Sequence, residues 1–236
     1  MALVSSEAFV LNKFKYGDTS LIVTLFSINH GKFSALIKGA RNSKSGLSGV
    51  FENINHISVY FNKKENRELQ SILKSENINS FPAIKRNLDK LNVAYRLIEL
   101  TNKLIINYDI NSKVFLLLKD MLNTLEKNES NFLVILLYFQ LFFSVYTGVG
   151  YLDKENDFPV VNDETFVYGT SFKNTEEING ILHSIGKTKP ENLESLYFDE
   201  NKLKVLIDKL DYHLLSDVSH PGILKTKKII SQIQMK

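Results

Sequence analysis

The sequence predicts an α+β chain in which a small closed β-barrel comes first and an all-α region follows. Three observations carry this. Short runs rich in β-branched and aromatic residues, separated by turns, fill the first third. After Phe81-Pro82, apolar residues recur at three- and four-residue spacing. The charge is also polarised: Lys and Arg outnumber Asp and Glu by 10 to 6 over residues 1–80 and by 8 to 6 over 81–150, and are outnumbered 11 to 14 over 151–236. A basic face confined to one part of a chain whose net charge is only +3 is one footprint of binding to nucleic acid or an acidic membrane.

The strand-like runs are Ala8–Leu11, Leu21–Phe26, Phe33–Ile37, Ile57–Phe61 and Leu69–Leu73, with turns at Tyr16-Gly17-Asp18, Asn29-His30-Gly31 and residues 62–66. Five such strands suggest an oligonucleotide-binding (OB) barrel over residues 1–80. Residues 81–236 then form a helical domain. Its first stripe runs from Ile84 to Ile105, its second from Val114 to Leu125, and Asn131–Tyr146 is apolar nearly all round, as a central buried helix would be. Gly148 and Gly150 supply a stop. Residues 151–173 read as an irregular acidic insertion with a β-like piece at Thr165–Tyr168. Helices are expected again at Thr175–Ile185, at Asn201–Leu215 and after Pro221-Gly222.

The segment His30–Gly46, HGKFSALIKGARNSKSG, concentrates the charge. Lys32, Lys38, Arg41 and Lys44 fall within thirteen residues that hold no Asp or Glu, and the loop residues around them are small and polar. Backbone N–H groups of such a loop approach phosphate oxygens closely, while Lys and Arg displace condensed counterions. Lys15, Lys63, Lys64 and Arg67 lie in or beside the same strands, and Lys85 and Arg86 follow them in sequence. Aromatic rings interleave with these cations. Strand alternation assigns Phe33 and Phe61 to the core and leaves Tyr16 and Tyr60 as surface rings on which bases can stack.

Catalytic constellations are thin, and no enzymatic activity, cofactor or metal is expected. Gly39–Gly46 lacks the G-x-x-x-x-G-K-[ST] order of a P-loop. There is no cysteine, which removes thiol chemistry, disulfides and cysteine-ligated zinc. The five histidines (His30, His56, His183, His213 and His220) form no H-x-x-x-H pair. Asp153, Glu155, Asp157 and Glu164 match part of a calcium loop, but Phe158 stands where the sharp turn needs glycine, so a solvated acidic loop is the expectation. The N-terminus lacks the basic and long apolar regions of a signal peptide, and Phe132–Val145 is too short to span a bilayer. A cytoplasmic, nucleoid-associated protein is expected.

The opening residues resemble those of the bacterial recombination mediators of the RecO family. The resemblance rests on linked elements over some forty residues: Tyr16-Gly17-Asp18, Thr24-Leu25-Phe26, His30-Gly31-Lys32, and Lys38-Gly39-Ala40-Arg41 with Ser45. It implies an OB barrel on a helical domain and a non-enzymatic role: binding single- and double-stranded DNA, annealing complementary strands, and acting with RecR to load RecA onto strands coated by single-strand-binding protein (SSB). It also implies a site for the SSB tail on the helical domain, for which Lys225, Lys227 and Lys228 beside an apolar helix are candidates. Many relatives carry a cysteine zinc cluster near the position of residues 151–173, and this chain has none. An OB-type RNA or ribosome-associated binder, or a protein scaffold, would share most of these features.

Overall fold

In a computed structural model the described residues are 2–42, 45–64, 67–148, 150–152, 159–160 and 175–216. The chain divides into two compact units, Met1–Pro82 with Ile98–Leu116, and Ala83–Leu97 with Leu117–Lys236.

The first unit is built on five strands, β1 (Ala2–Tyr16), β2 (Ser20–Ser27), β3 (Gly31–Ile37), β4 (His56–Lys63) and β5 (Leu69–Asn79), with a short helix α1 (Leu47–Val50) between β3 and β4. They close into a barrel in the order β1-β2-β3-β5-β4, an OB-like arrangement. Every pairing is antiparallel except β3 with β5, where Ser34 faces Leu69 and Leu36 faces Ser71. Strand β1 makes closure possible by serving two partners. Ala2–Phe9 pairs with β4 and Ala8–Tyr16 with β2, and the register shifts between Val10 and Asn12. A bulge there bends the strand from one neighbour to the other.

Inside the barrel, Val10, Val23, Leu25, Phe33, Ala35, Ile57, Val59 and Phe61 are buried against one another, with Phe51 of the α1 region closing the core. One patch of the outer face is buried too. Phe9 is paired in register with both Phe26 and His56, and Phe115 covers all three, with ring centroids 5.1 Å from Phe9, 5.8 Å from Phe26 and 6.0 Å from His56. Burial on both faces explains why β2 reads Leu-Ile-Val-Thr-Leu-Phe rather than as a strict alternation.

Two strands run beyond their apolar runs. β1 starts at Ala2 and ends at Tyr16, and β5 reaches Asn79. Their extra residues include Ser5, Lys15, Lys74 and Glu76, which keep the backbone ladder while offering no hydrophobic signal. The stripe expected from Ile84 onward is split into α2 (Pro82–Arg86) and α3 (Leu88–Leu104). Asn87 Oδ1 accepts from the amides of Asp89 and Lys90, both at 3.0 Å, and so starts a new helix where the apolar spacing alone shows no break.

The second unit gathers around α5 (Phe132–Tyr146), most of whose residues are buried. Also in the chain are α4 (Ser112–Lys127), the two-stranded pair β6 (Tyr151–Leu152) and β7 (Pro159–Val160), α6 (Thr175–Lys187), a 3-10 turn at Pro190–Ser195 and α7 (Glu200–Ser216). Both α3 and α4 contribute residues to each unit. The carboxylate of Glu126 accepts the amides of Ala83 and Ile84 at 2.9 Å each, which caps the otherwise unpaired start of α2. Three helices meet at a polar point in the core of this unit. Arg96 of α3 is paired with Asp211 of α7, and Gln140 of α5 donates to Asp211 Oδ1 at 2.7 Å and to the Ile207 carbonyl at 3.2 Å. All three residues are at most 4% exposed. The helix expected after Pro221-Gly222, the β-like piece at Thr165–Tyr168 and the acidic positions Asp153, Glu155, Asp157 and Glu164 lie outside the described residues.

Removing one member of a buried ion pair strands the other charge, at a cost of about 3–5 kcal/mol. Asp211→Ala is therefore expected to destabilise the protein by that amount in urea unfolding. The double variant Arg96→Met with Asp211→Leu, which removes both charges and keeps apolar volume, is expected to recover most of the loss.

Candidate nucleic-acid interface

Two basic loops stand at opposite ends of β3. The first follows that strand. Gly39 takes φ +67°, and the chain turns through Asn42, whose amide donates to the Gly39 carbonyl at 3.1 Å. Ser45 Oγ donates to the carbonyls of Ala40 and Asn42. Arg41 fastens this loop to the β1–β2 turn, its amide donating to the Thr19 carbonyl at 2.8 Å and its Nη1 to the Gly17 carbonyl at 2.9 Å. Lys38, Arg41, Lys15 and Tyr16 are all exposed around this junction. Lys44 lies outside the described residues.

The second loop joins β4 to β5. Gln70, buried beneath it, accepts the Lys64 amide at 3.0 Å and donates to the carbonyls of Lys64 and Arg67, both at 2.9 Å. Lys63 and Lys64 are half-buried and Arg67 is exposed. His30, in the β2–β3 turn, packs edge-on to Phe61, and partial burial together with the charge of Lys63 lowers its pKa below the ordinary histidine value. Because Ser34 and Leu69 are in parallel register, Arg67 stands level with the start of β3 and Lys38 just past its end. Six residues of strand separate them by about 20 Å.

Between the loops, the outward residues of β1, β2 and β3 form two cross-strand rows, Asn12–Thr24–Ser34 and Phe14–Ile22–Leu36. These rows contain no carboxylate. Phe14 is 49% exposed and shares the outer face of β1 with Tyr16, two residues on. Phe14 is not among the rings expected from the sequence. The i, i+2 spacing in Phe14-Lys15-Tyr16 is the signal that pairs it with Tyr16.

Other residues singled out in the sequence are placed elsewhere. Lys32 is only 9% exposed, and its Nζ donates to the Asn102 carbonyl at 2.6 Å; burial lowers its pKa. Its charge is spent inside the unit and is not presented to solvent. Tyr60 is exposed, but β4 is separated from β2 and β3 by β1 on one side and β5 on the other. The Lys74 ammonium lies 5.9 Å from the centre of its ring and is paired with Glu76 at 2.6 Å. Phe33 and Phe61 are in the core and stack on each other at 4.9 Å. Lys85 and Arg86 end α2 and belong to the second unit. Lys225, Lys227 and Lys228 lie outside the described residues.

His56 is buried beside Glu7, Nε2 to Oε2 3.0 Å, and stacks on Phe9 at 4.6 Å. Among the described residues no group of three or more His, Asp and Glu is arranged to hold a metal, and no helix is long and apolar enough to cross a membrane.

Residues 1–81, the barrel just described, match the family model "Recombination protein O N terminal". The chain is also similar to proteins named DNA repair protein RecO. It is 33% identical to that of Chlorobium limicola over 139 residues, 59% of this chain and 53% of the relative. It is 31% identical to that of Salinibacter ruber over 164 residues, 69% of this chain and 63% of the relative. The barrel belongs to the N-terminal domain of the RecO family. The matched stretches cover between about half and just under two thirds of these RecO relatives.

Within this RecO-family barrel, charge removal at two lysines six residues apart is expected to have different consequences. Lys32→Met loses a charged hydrogen bond and should lower the unfolding free energy by about 1.5–3 kcal/mol, while leaving the salt dependence of oligonucleotide binding unchanged. Lys38→Ala should do the reverse. Acid unfolding reports on His30 separately. Its folded pKa lies below the unfolded value, so the unfolded chain takes up the proton first and stability is lost as pH falls through the ordinary histidine range. His30→Gln is expected to flatten that part of the stability profile.

Proposed function

We propose that this protein is a non-catalytic DNA repair and recombination mediator whose barrel holds single-stranded DNA across the outer face of β1–β2–β3. The observation that carries the reading is the pair of basic loops bracketing two cross-strand rows free of carboxylates, Asn12–Thr24–Ser34 and Phe14–Ile22–Leu36, with two exposed rings, Phe14 and Tyr16. Phosphates are held at the two ends by Lys38 and Arg41 and by Lys63, Lys64 and Arg67. Bases lie on the rings between them. Such binding is sequence-tolerant, because charge reads the backbone and every base has a π-face.

Annealing follows from the same arrangement without any bond being made or broken. A surface that neutralises phosphate lowers the repulsion between two strands, and bases held only by stacking remain exchangeable with a complementary strand. The RecO N-terminal barrel and the similarity to proteins named DNA repair protein RecO support a role in DNA repair. We extend it to double-stranded DNA binding, to work with RecR in loading RecA onto SSB-coated strands, and to capture of the SSB tail on the helical unit, in the cytoplasm at the nucleoid.

The test is a fluorescent single-stranded oligonucleotide titrated at several salt concentrations, followed by its complement. Salt-dependent binding and faster duplex formation are expected. The double variant Lys38→Glu with Arg41→Glu has two fewer cations to neutralise phosphate. It should bind at least about tenfold more weakly and show a log–log salt slope shallower by about 1.4. Unchanged affinity and slope would remove this loop from the site, and preference for RNA in competition would replace DNA as the ligand.

A further inference from the structure

The connection between α3 and α4, residues 105–111, lies in the same unit as the barrel and carries a conformational outlier. Tyr108 has φ +65°, in the left-handed region that a bulky side chain enters only where its surroundings compel it. Here they do. The Tyr108 amide donates to the Lys32 carbonyl at 2.7 Å, and Asn107 forms a parallel bridge with Lys32, so this segment runs alongside the start of β3. Lys32 Nζ ties in from the other side through the Asn102 carbonyl. Gly31, at φ +66°, leaves the space that the Asp109 carbonyl fills, since a Cβ at that position would stand 2.2 Å from Asp109 O.

The backbone strain delivers one side chain to one place. The Tyr108 hydroxyl donates to the Arg67 carbonyl at 3.1 Å, with the Glu68 carbonyl 3.4 Å away. The Arg67 carbonyl therefore receives two donors, Tyr108 Oη from the connection and Gln70 Nε2 from β5. We propose that Tyr108 is a positioning residue for Arg67, fixing its backbone before nucleic acid arrives. This inference rests on the DNA-binding reading. A residue whose backbone is held in advance loses less conformational freedom when it binds, and the gain appears as affinity.

Tyr108→Phe removes the hydroxyl and keeps the ring. In the oligonucleotide titration it should weaken binding about three- to tenfold, the range one neutral hydrogen bond supports. The decisive readout is coupling. Because Tyr108 acts through Arg67, Tyr108→Phe should cost little further once Arg67→Ala is present, yet should add fully to Arg41→Ala at the far end of β3. A loss caused merely by a looser barrel would add to both. Wild-type affinity in Tyr108→Phe, or full additivity with Arg67→Ala, would overturn the inference and leave the DNA-binding reading standing. Failure of the wild-type protein to bind at low salt would sink both.

Discussion

Everything in the first unit depends on β1 serving two neighbours. A sheet of five short strands closes only if one of them bends, and β1 does so at the register shift after Val10, handing its pairing from β4 to β2. Closure then fixes which loops can meet. The β1–β2 turn is brought against the loop after β3, where Arg41 joins them, and the parallel pairing of β3 with β5 sets the β4–β5 loop beside the other end of the same strand. The spacing of the two cationic loops is thus a property of strand length and register. The side chains only decorate it.

What a cation does in this framework is decided by what covers it. Lys32 lies on the outer face of β3 near its start, and Lys38, six residues on, lies just past its end. The start of the strand is covered by residues 102–109, so Lys32 gives its charge to a carbonyl and is desolvated; the end is open, and Lys38 keeps its charge in water. Desolvating an ammonium is expensive enough that a buried lysine must be hydrogen-bonded to persist. Its role has become structural. A similar logic applies to the helical unit, where Arg96, Gln140 and Asp211 answer one another's polarity inside an otherwise apolar core.

The barrel was legible because its signals are local: alternation, β-branched runs and turn residues lie within a few positions of one another. The core assignment of Phe33 and Phe61 and the exposure of Tyr16 and Tyr60 followed from period two alone. The site was legible only in part. Nothing near Lys32 in the chain announces that the carbonyl of Asn102, seventy residues on, accepts its hydrogen bond, and nothing near Tyr60 says that β4 lies away from β2 and β3 in the closed order. Arg67 and Tyr108 meet across forty-one residues for the same reason. Long-range pairing converts identical residue types into different roles, and a single sequence carries no direct record of that pairing. Phe14 is a different kind of omission, since its alternation with Tyr16 was in plain view.

On the proposed reading, the neutral character of the floor matters as much as the charge of the loops. A cation beneath every nucleotide would bind a strand more tightly and would also resist giving it up, because each phosphate would have to recover its counterions before leaving. Here the charge stands at the two ends, about 20 Å apart, and the sheet between them offers Asn12, Thr24 and Ser34 with the exposed ring of Phe14, whose row neighbour Ile22 is buried. Such a floor lets bases rest on rings without satisfying their hydrogen-bonding edges. A complementary strand satisfies those edges better than the protein does. Electrostatic capture at the ends combined with an undemanding middle favours a surface that gathers strands and then yields them to one another, the behaviour expected of a mediator and not of a storage protein.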